Sequence, residues 1–255
     1  MTAMSARFEE LGWRQTPIGE ISLRRRFDPT VRADVYEVKL GDEYLMSSLF
    51  TVAERELSRL GLARTPGDRL DVVVGGLGLG YTAREALVDR RIRELTIVEY
   101  SDAVIDWHRH DLLPDTAGLA ADRRVELVCA DFFAAAAGPV GFDPAQPGRK
   151  YDALLLDIDH SPRHVLHGSN AAFYTGAGLR AVANHLVDGG TFAMWSDDPP
   201  DDEFCATLES AFIDVEAQSI VFDNPLTRGR SGATIYLATR SDHSRGTGHN
   251  QAICD

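Results

Sequence analysis

Val72-Val73-Val74-Gly75-Gly76-Leu77-Gly78-Leu79-Gly80-Tyr81-Thr82 passes from a valine run into a glycine-rich turn and on into helical spacing. The valines read as a buried strand. Glycine allows positive φ and close approach of the backbone to a ligand, and the start of the following helix offers free N–H groups. Gly76, Gly78 and Gly80 are spaced more tightly than the dinucleotide pattern GxGxxG, and the turn has no lysine of the phosphate-gripping type. An NAD-dependent dehydrogenase is therefore disfavoured. A plain strand-to-helix connection can carry the same glycines, so the neighbouring strand ends have to decide.

Upstream, Thr65-Pro66-Gly67-Asp68 is a break. Before it, residues 50–62 carry apolar side chains at helical spacing (Phe50, Ala53, Leu57, Leu60), and residues 18–27 and 35–45 alternate as strands around a turn at Leu40-Gly41-Asp42-Glu43. A short antiparallel hairpin unit with one helix is predicted over 1–66. Downstream, strands at 95–98, 125–129, 153–156 and 191–195 alternate with helices at 82–89, 102–112, 171–186 and 203–212. Asp188-Gly189-Gly190 reads as the stop of the long helix, residues 138–149 as a loop, and 215–222 with 234–238 as a closing strand pair. Such alternation implies βαβ units and a mainly parallel sheet. The expected fold class is α/β, with the Rossmann-like domain at 67–240 and a frayed polar tail at 241–255.

The chain has 255 residues, 44% hydrophobic and 25% charged, enough apolar material for a core. Its formal net charge of −13 argues against nucleic acid or an anionic membrane surface as partner, and suits a cationic small molecule. Three cysteines at wide spacing (Cys129, Cys205, Cys254) form no zinc pattern and no disulfide framework. No signal-peptide pattern opens the sequence, and no apolar stretch approaches the roughly 18 residues that span a bilayer. A cytoplasmic setting is the expectation.

Glu99 ends the strand after the turn, where a carboxylate can accept hydrogen bonds from ribose hydroxyls. Asp131 ends the third strand, with Phe132 and Phe133 behind it. An acid and an aromatic there can bind the adenine amino group and cover the ring, although Asp is also a favoured helix N-cap. Three such features at successive strand tips point to adenosine. The fourth strand ends in Asp157-Ile158-Asp159-His160, where Asp157 would face the reacting centre and orient or deprotonate an amine. His160, His164 and His167 follow within an irregular loop, which favours hydrogen-bonded histidines over a metal site; one could accept a proton. The acids of Trp195-Ser196-Asp197-Asp198-Pro199-Pro200-Asp201-Asp202-Glu203 read mainly as a solvated loop that caps the next helix, and alternatively as a rim for a cation with Trp195 as its wall.

These residues resemble the spermidine synthase family, the polyamine aminopropyltransferases, which are built on the class I methyltransferase fold. The resemblance covers residues 35–240. It rests on the turn Gly75 to Gly80 with Arg84-Glu85, on Glu99, Asp131-Phe132, Tyr151-Asp152 leading to Asp157, and Phe173-Tyr174. It implies a mainly parallel seven-stranded sheet and a trimmed N-terminal β-domain. It also implies Glu99 at the ribose, Asp131 at the adenine and Asp157 as the catalytic aspartate, with Asp159 and His160 beside it. The implied cofactor is S-adenosylmethionine or its decarboxylated form, and the implied assembly a homodimer. Some matches are lost. Leu79 stands where the family carries an aspartate that grips the aminopropyl amine, and His160 where it carries a second one. The family's early glutamine and Tyr-His-Glu triplet are missing around 46–56. Aminopropyl transfer to an amine, methyl transfer to a small molecule, and a non-catalytic nucleotide-binding module all stay open at this point, with Leu79 leaning toward methyl transfer.

Overall fold

The structure, a computed structural model, describes residues 8–16 and 19–241. The predicted frayed tail and Cys254 lie outside these residues, apart from Ser241.

The N-terminal unit is larger than the predicted hairpin. It is a four-stranded antiparallel sheet in the order β1 (Phe8–Thr16), β2 (Gly19–Asp28), β3 (Ala33–Leu40), β4 (Glu43–Ser47). The predicted turn joins β3 to β4, with Gly41 at φ 58° between the paired Leu40 and Glu43. Strand β1 escaped the sequence pattern because it lies mostly exposed and its register slips between Glu10 and Gly12, which destroys the alternation. Partners on other elements hold it. Glu9 pairs with Arg25 on β2, and Gly12 admits the Trp107 indole so closely that a Cβ would meet its Nε1 at 2.3 Å.

Helix α1 (Val52–Arg64) follows and packs on the large sheet. That sheet consists of β5 (Leu70–Gly75), β6 (Ile92–Glu99), β7 (Val125–Cys129), β8 (Tyr151–Leu156), β9 (Leu186–Ser196), β10 (Ile213–Asn224) and β11 (Gly229–Thr239). The order is β10-β11-β9-β8-β5-β6-β7. Strands β5 to β9 run parallel, while β11 runs antiparallel to both its neighbours. The chain moves outward from β5 to β6 and β7, then returns to the other side of β5 as β8. Beyond the carboxyl ends at that switch point, open α/β sheets bind their ligands.

The parallel strands are buried on both faces, so their sequences are almost continuously apolar. On β5, Val72 and Val74 enter one core and Val73 the other. The first core is shared with α1, α2 (Tyr81–Ala86) and α3 (Asp102–Arg109). The second is shared with α4 (Phe132–Ala137), α5 (Gly176–Ala183) and α6 (Asp202–Glu209). One predicted helix is corrected. Residues 171–186 do not form one continuous helix: a 3-10 turn at Gly168–Ala172 precedes α5, and Leu186 already pairs with Tyr151 in β9. Gly189, at φ 76°, lies inside the strand, where the register slips before Ala153 meets Thr191. The glycines that read as a helix stop make a kink in a strand.

Candidate active site

Gly76, Gly78 and Gly80 all adopt positive φ, at 91°, 49° and 87°. At Gly76 the reason is visible: a Cβ would lie 2.2 Å from the Asp157 carbonyl oxygen. The Asp157 N–H in turn donates to the Gly75 carbonyl at 2.8 Å, so the ends of β5 and β8 are drawn together. From behind, α3 and the segment after it hold the bend. His108 Nε2 donates to the Gly78 carbonyl at 2.9 Å, and Thr116 Oγ1 to that of Leu79 at 3.0 Å. Burial pushes the His108 pKa down, in keeping with a neutral ring. Met46, from β4, reaches across to Gly78.

Glu99 lies on the bend as expected. Its Oε2 accepts the Leu77 N–H at 2.9 Å and its Oε1 the Ser101 N–H at 2.7 Å. Burial raises its pKa, and the backbone N–H groups around it act in the opposite direction. The carboxylate thus faces the glycine bend and is held by the backbone on both sides.

Asp131 stands at the end of β7, whose Cys129 is paired with Glu99. It caps α4, and its Oδ1 accepts from Phe133 N–H at 2.9 Å and Ala134 N–H at 3.1 Å. Oδ2 has no hydrogen bond within the described residues, so capping leaves one oxygen for a ligand. Phe132 is corrected. It is 2% exposed, stacks on Phe142 at 4.9 Å and lies against Gly75 from within the core. Its faces belong to the packing and are not open to an adenine.

Asp157 accepts a hydrogen bond from Thr82 Oγ1 through Oδ2. Its neighbour in space is one the sequence did not flag, Glu54 in the first turn of α1. Burial drives both carboxyl pKa values up, and the Asp157 charge raises that of Glu54 further. No ion pair reaches either of them among the described residues. Arg55, next in the chain, instead pairs with Glu85 at 3.3 Å and covers the Tyr81 ring at 5.2 Å. Glu54 was invisible because α1 was recognised by its apolar positions alone, and no local pattern links residue 54 to residue 157.

Asp159 and His160 are not brought into this group. Asp159 is 2% exposed and accepts from the Leu166 N–H at 2.7 Å, from Asn170 Nδ2 at 2.9 Å and from the Tyr174 hydroxyl at 2.8 Å. Its acceptor sites are taken up by the 160–174 segment, away from the group around Asp157. His160 contributes its backbone carbonyl to the Asp197 N–H at 2.7 Å, and no hydrogen bond is formed by its ring among the described residues. His164 turns to Asp198 at 2.9 Å and His167 to Ser169 at 2.8 Å, so the three rings share no common partner.

Asp201 caps α6 and binds Arg163 at 2.6 Å, and Glu203 binds the same guanidinium at 2.9 Å. Much of the acidic loop is thus neutralised within the molecule. Trp195 is partly buried and packs against the first core. A cavity of about 300 Å³ opens beside this loop, between Arg163, Ser196, Asp198 and Tyr236.

No protein-family model matches the chain. Over 128 residues, half of this chain, it is 28% identical to a polyamine aminopropyltransferase of Bacillus mycoides (strain KBAB4), and 27% identical to one of Bacillus cereus (strain ATCC 10987 / NRS 248). The match takes in 41% of either relative's length. Among solved structures, spermidine synthase from Thermotoga maritima aligns with a TM-score of 0.66 at 16% identity, over 90% of this chain and 72% of the other. A spermidine synthase in complex with the transition-state analogue AdoDATO aligns equally well, with the same score, identity and coverage. The chain has the class I methyltransferase-like fold of these enzymes, and its sequence is similar to the aminopropyltransferases.

Proposed function

We propose that the chain is a transferase that binds decarboxylated S-adenosylmethionine at the β5–β8 switch point and passes its aminopropyl group to an amine. In this reading Glu99 takes the ribose hydroxyls and the free oxygen of Asp131 the adenine amino group. The glycine bend lets the thioadenosyl portion lie against the backbone. Asp157 faces the reacting centre. The acceptor nitrogen attacks the propyl carbon bonded to sulfur, the C–N bond forms as the C–S bond breaks, and methylthioadenosine departs. The amine proton passes to Asp157, whose raised pKa suits a proton acceptor working near neutrality. The remaining contribution of the site is alignment of the two reactants.

One observation carries the choice of donor: Glu54 is near enough to Asp157 to feel its charge, and no ion pair reaches either acid among the described residues. A bound ammonium tail and sulfonium would draw both groups into their charged form, whereas the carboxylate of intact S-adenosylmethionine would oppose that ionisation. This outweighs the lean toward methyl transfer that Leu79 gave. The division proposed for the chain is an N-terminal unit over 1–66, which supplies Glu54, and a donor-binding domain over 67–240. A cytosolic homodimer completes the reading; no helix among the described residues is long and apolar enough to cross a membrane.

The test is turnover. Incubation with decarboxylated S-adenosylmethionine and a panel of diamines and polyamines should release methylthioadenosine and an aminopropylated amine in equal amounts. Asp157→Asn should slow this by roughly 10²- to 10⁴-fold, the usual range for loss of a positioned proton acceptor. Formation of S-adenosylhomocysteine from intact donor would point instead to methyl transfer. Absence of binding by methylthioadenosine would remove the adenosyl site altogether.

A further inference from the structure

We propose that Glu54 determines donor specificity by holding the ammonium end of the aminopropyl tail, a role the glycine bend itself cannot fill. This deepens the reading above and rests on it. The bend carries Leu77 and Leu79 as its only side chains between Gly76 and Gly80, and both are buried in the first core. Neither offers a charge to the tail. A carboxylate for the tail, beyond that of Asp157, has to come from another element.

Helix α1 provides that element. The Thr82 hydroxyl that donates to Asp157 also lies 3.4 Å from the Glu54 backbone carbonyl, so Thr82 joins the start of α1 to the end of β8. The other charged residues of this turn face elsewhere: Arg55 toward Glu85 and Tyr81, Glu56 toward Arg59. The Glu54 carboxylate has neither an ion pair nor a side-chain hydrogen bond among the described residues. A half-buried carboxylate left beside another acid is unfavourable in the empty protein. A primary ammonium removes that cost, since its three N–H donors can be shared between both carboxylates. A donor that keeps its α-carboxylate would bring a further acid to the same place and oppose the ionisation of both.

The experiment measures binding, by calorimetric titration of the full chain and of Glu54→Gln with three ligands: methylthioadenosine, decarboxylated S-adenosylmethionine and intact S-adenosylmethionine. Methylthioadenosine lacks the tail and reports the adenosyl site alone. Its affinity should be the same in both proteins. Affinity for the decarboxylated donor should fall roughly 10- to 100-fold, the worth of one hydrogen bond to a charged group. Its preference over the intact donor should fall with it. Glu56→Gln, on the outer side of the same turn, should change none of the three. A purely structural role for Glu54 would move all three ligands together, and that result overturns the proposal. Unchanged affinity for the decarboxylated donor, with methylthioadenosine bound normally, also overturns it while leaving the proposed function standing. Failure of the parent chain to bind methylthioadenosine overturns the functional reading, and this inference with it. Should the glutamine variant not fold, Glu54→Asp decides. It retains the charge but draws it back by one methylene, and it must still weaken the decarboxylated donor several-fold without touching methylthioadenosine.

Discussion

Asp157 and Asp159 stand two positions apart and are shaped by opposite surroundings. Asp159 is surrounded by donors and serves the fold, whereas Asp157 has one hydroxyl and a neighbouring acid. Stability should separate them. Burial holds the Asp157 and Glu54 protons more tightly in the folded chain than in the unfolded one, and the charge of Asp157 adds to this at Glu54. Above the ordinary carboxylate range, about 4, the native state therefore binds more protons than the unfolded state, and stability falls as pH rises until both groups have ionised. Asp157→Asn abolishes that fall at its own position and relieves Glu54. Its Tm should exceed that of the parent at pH 8 and differ little at pH 5. Asp159→Asn should lower Tm at both values, because an amide nitrogen then faces the donors of Asn170 or Tyr174, at a cost of about 1–3 kcal/mol. Thermal denaturation of the three proteins at the two pH values checks this. An Asp157→Asn protein that loses stability at pH 8 as Asp159→Asn does would show that Asp157 is structural too.

At the scale of the element, the glycine bend is where two strand ends and a helix start meet, and Gly76 is its tightest point. Alanine there meets two obstacles, a left-handed backbone that costs roughly 1–2 kcal/mol and the Asp157 carbonyl at 2.2 Å. Gly118, at φ 78° with nothing within 4 Å, meets only the first. Gly118→Ala should thus show the strain alone. Gly76→Ala should lose more stability in urea denaturation and should also lose methylthioadenosine, since β5 and β8 must part to admit the methyl. Equal losses would mean that the contact between the strand ends is unimportant. The bend and the acids at strand tips were legible because a buried parallel strand, its glycines and its terminal acid lie within one short window. Phe132 and Asp159 show the limit of the same reasoning: they follow candidate residues in sequence, but their side chains turn into the core, and adjacency does not record direction. Glu54 and β1 went unseen because the partners that give them meaning, Asp157 for one and Arg25 and Trp107 for the other, are distant in the chain.

For the molecule as a whole, the two sheets share one edge of the site. Arg14 of β1 binds Asp102 and Asp106 on α3 at 2.9 and 2.8 Å, and Met46 of β4 touches the bend, so the N-terminal sheet lies against the elements proposed to bind the donor. Around them is a chain of net charge −13. A field of that sign attracts the proposed donor, which carries a sulfonium and an ammonium, and is indifferent to uncharged methylthioadenosine. The Debye length shrinks from about 30 Å at 0.01 M salt to about 8 Å at 0.15 M. The long-range share of the attraction should then disappear while the contact with the carboxylate pair persists. Stopped-flow association of the decarboxylated donor should accordingly slow by roughly tenfold over this range, at the lower end of what steering contributes, with little change in its dissociation rate. Association of methylthioadenosine should not respond. If both ligands slow alike, salt acts on the protein and not on the encounter, and the acidic surface has no part in capturing the donor.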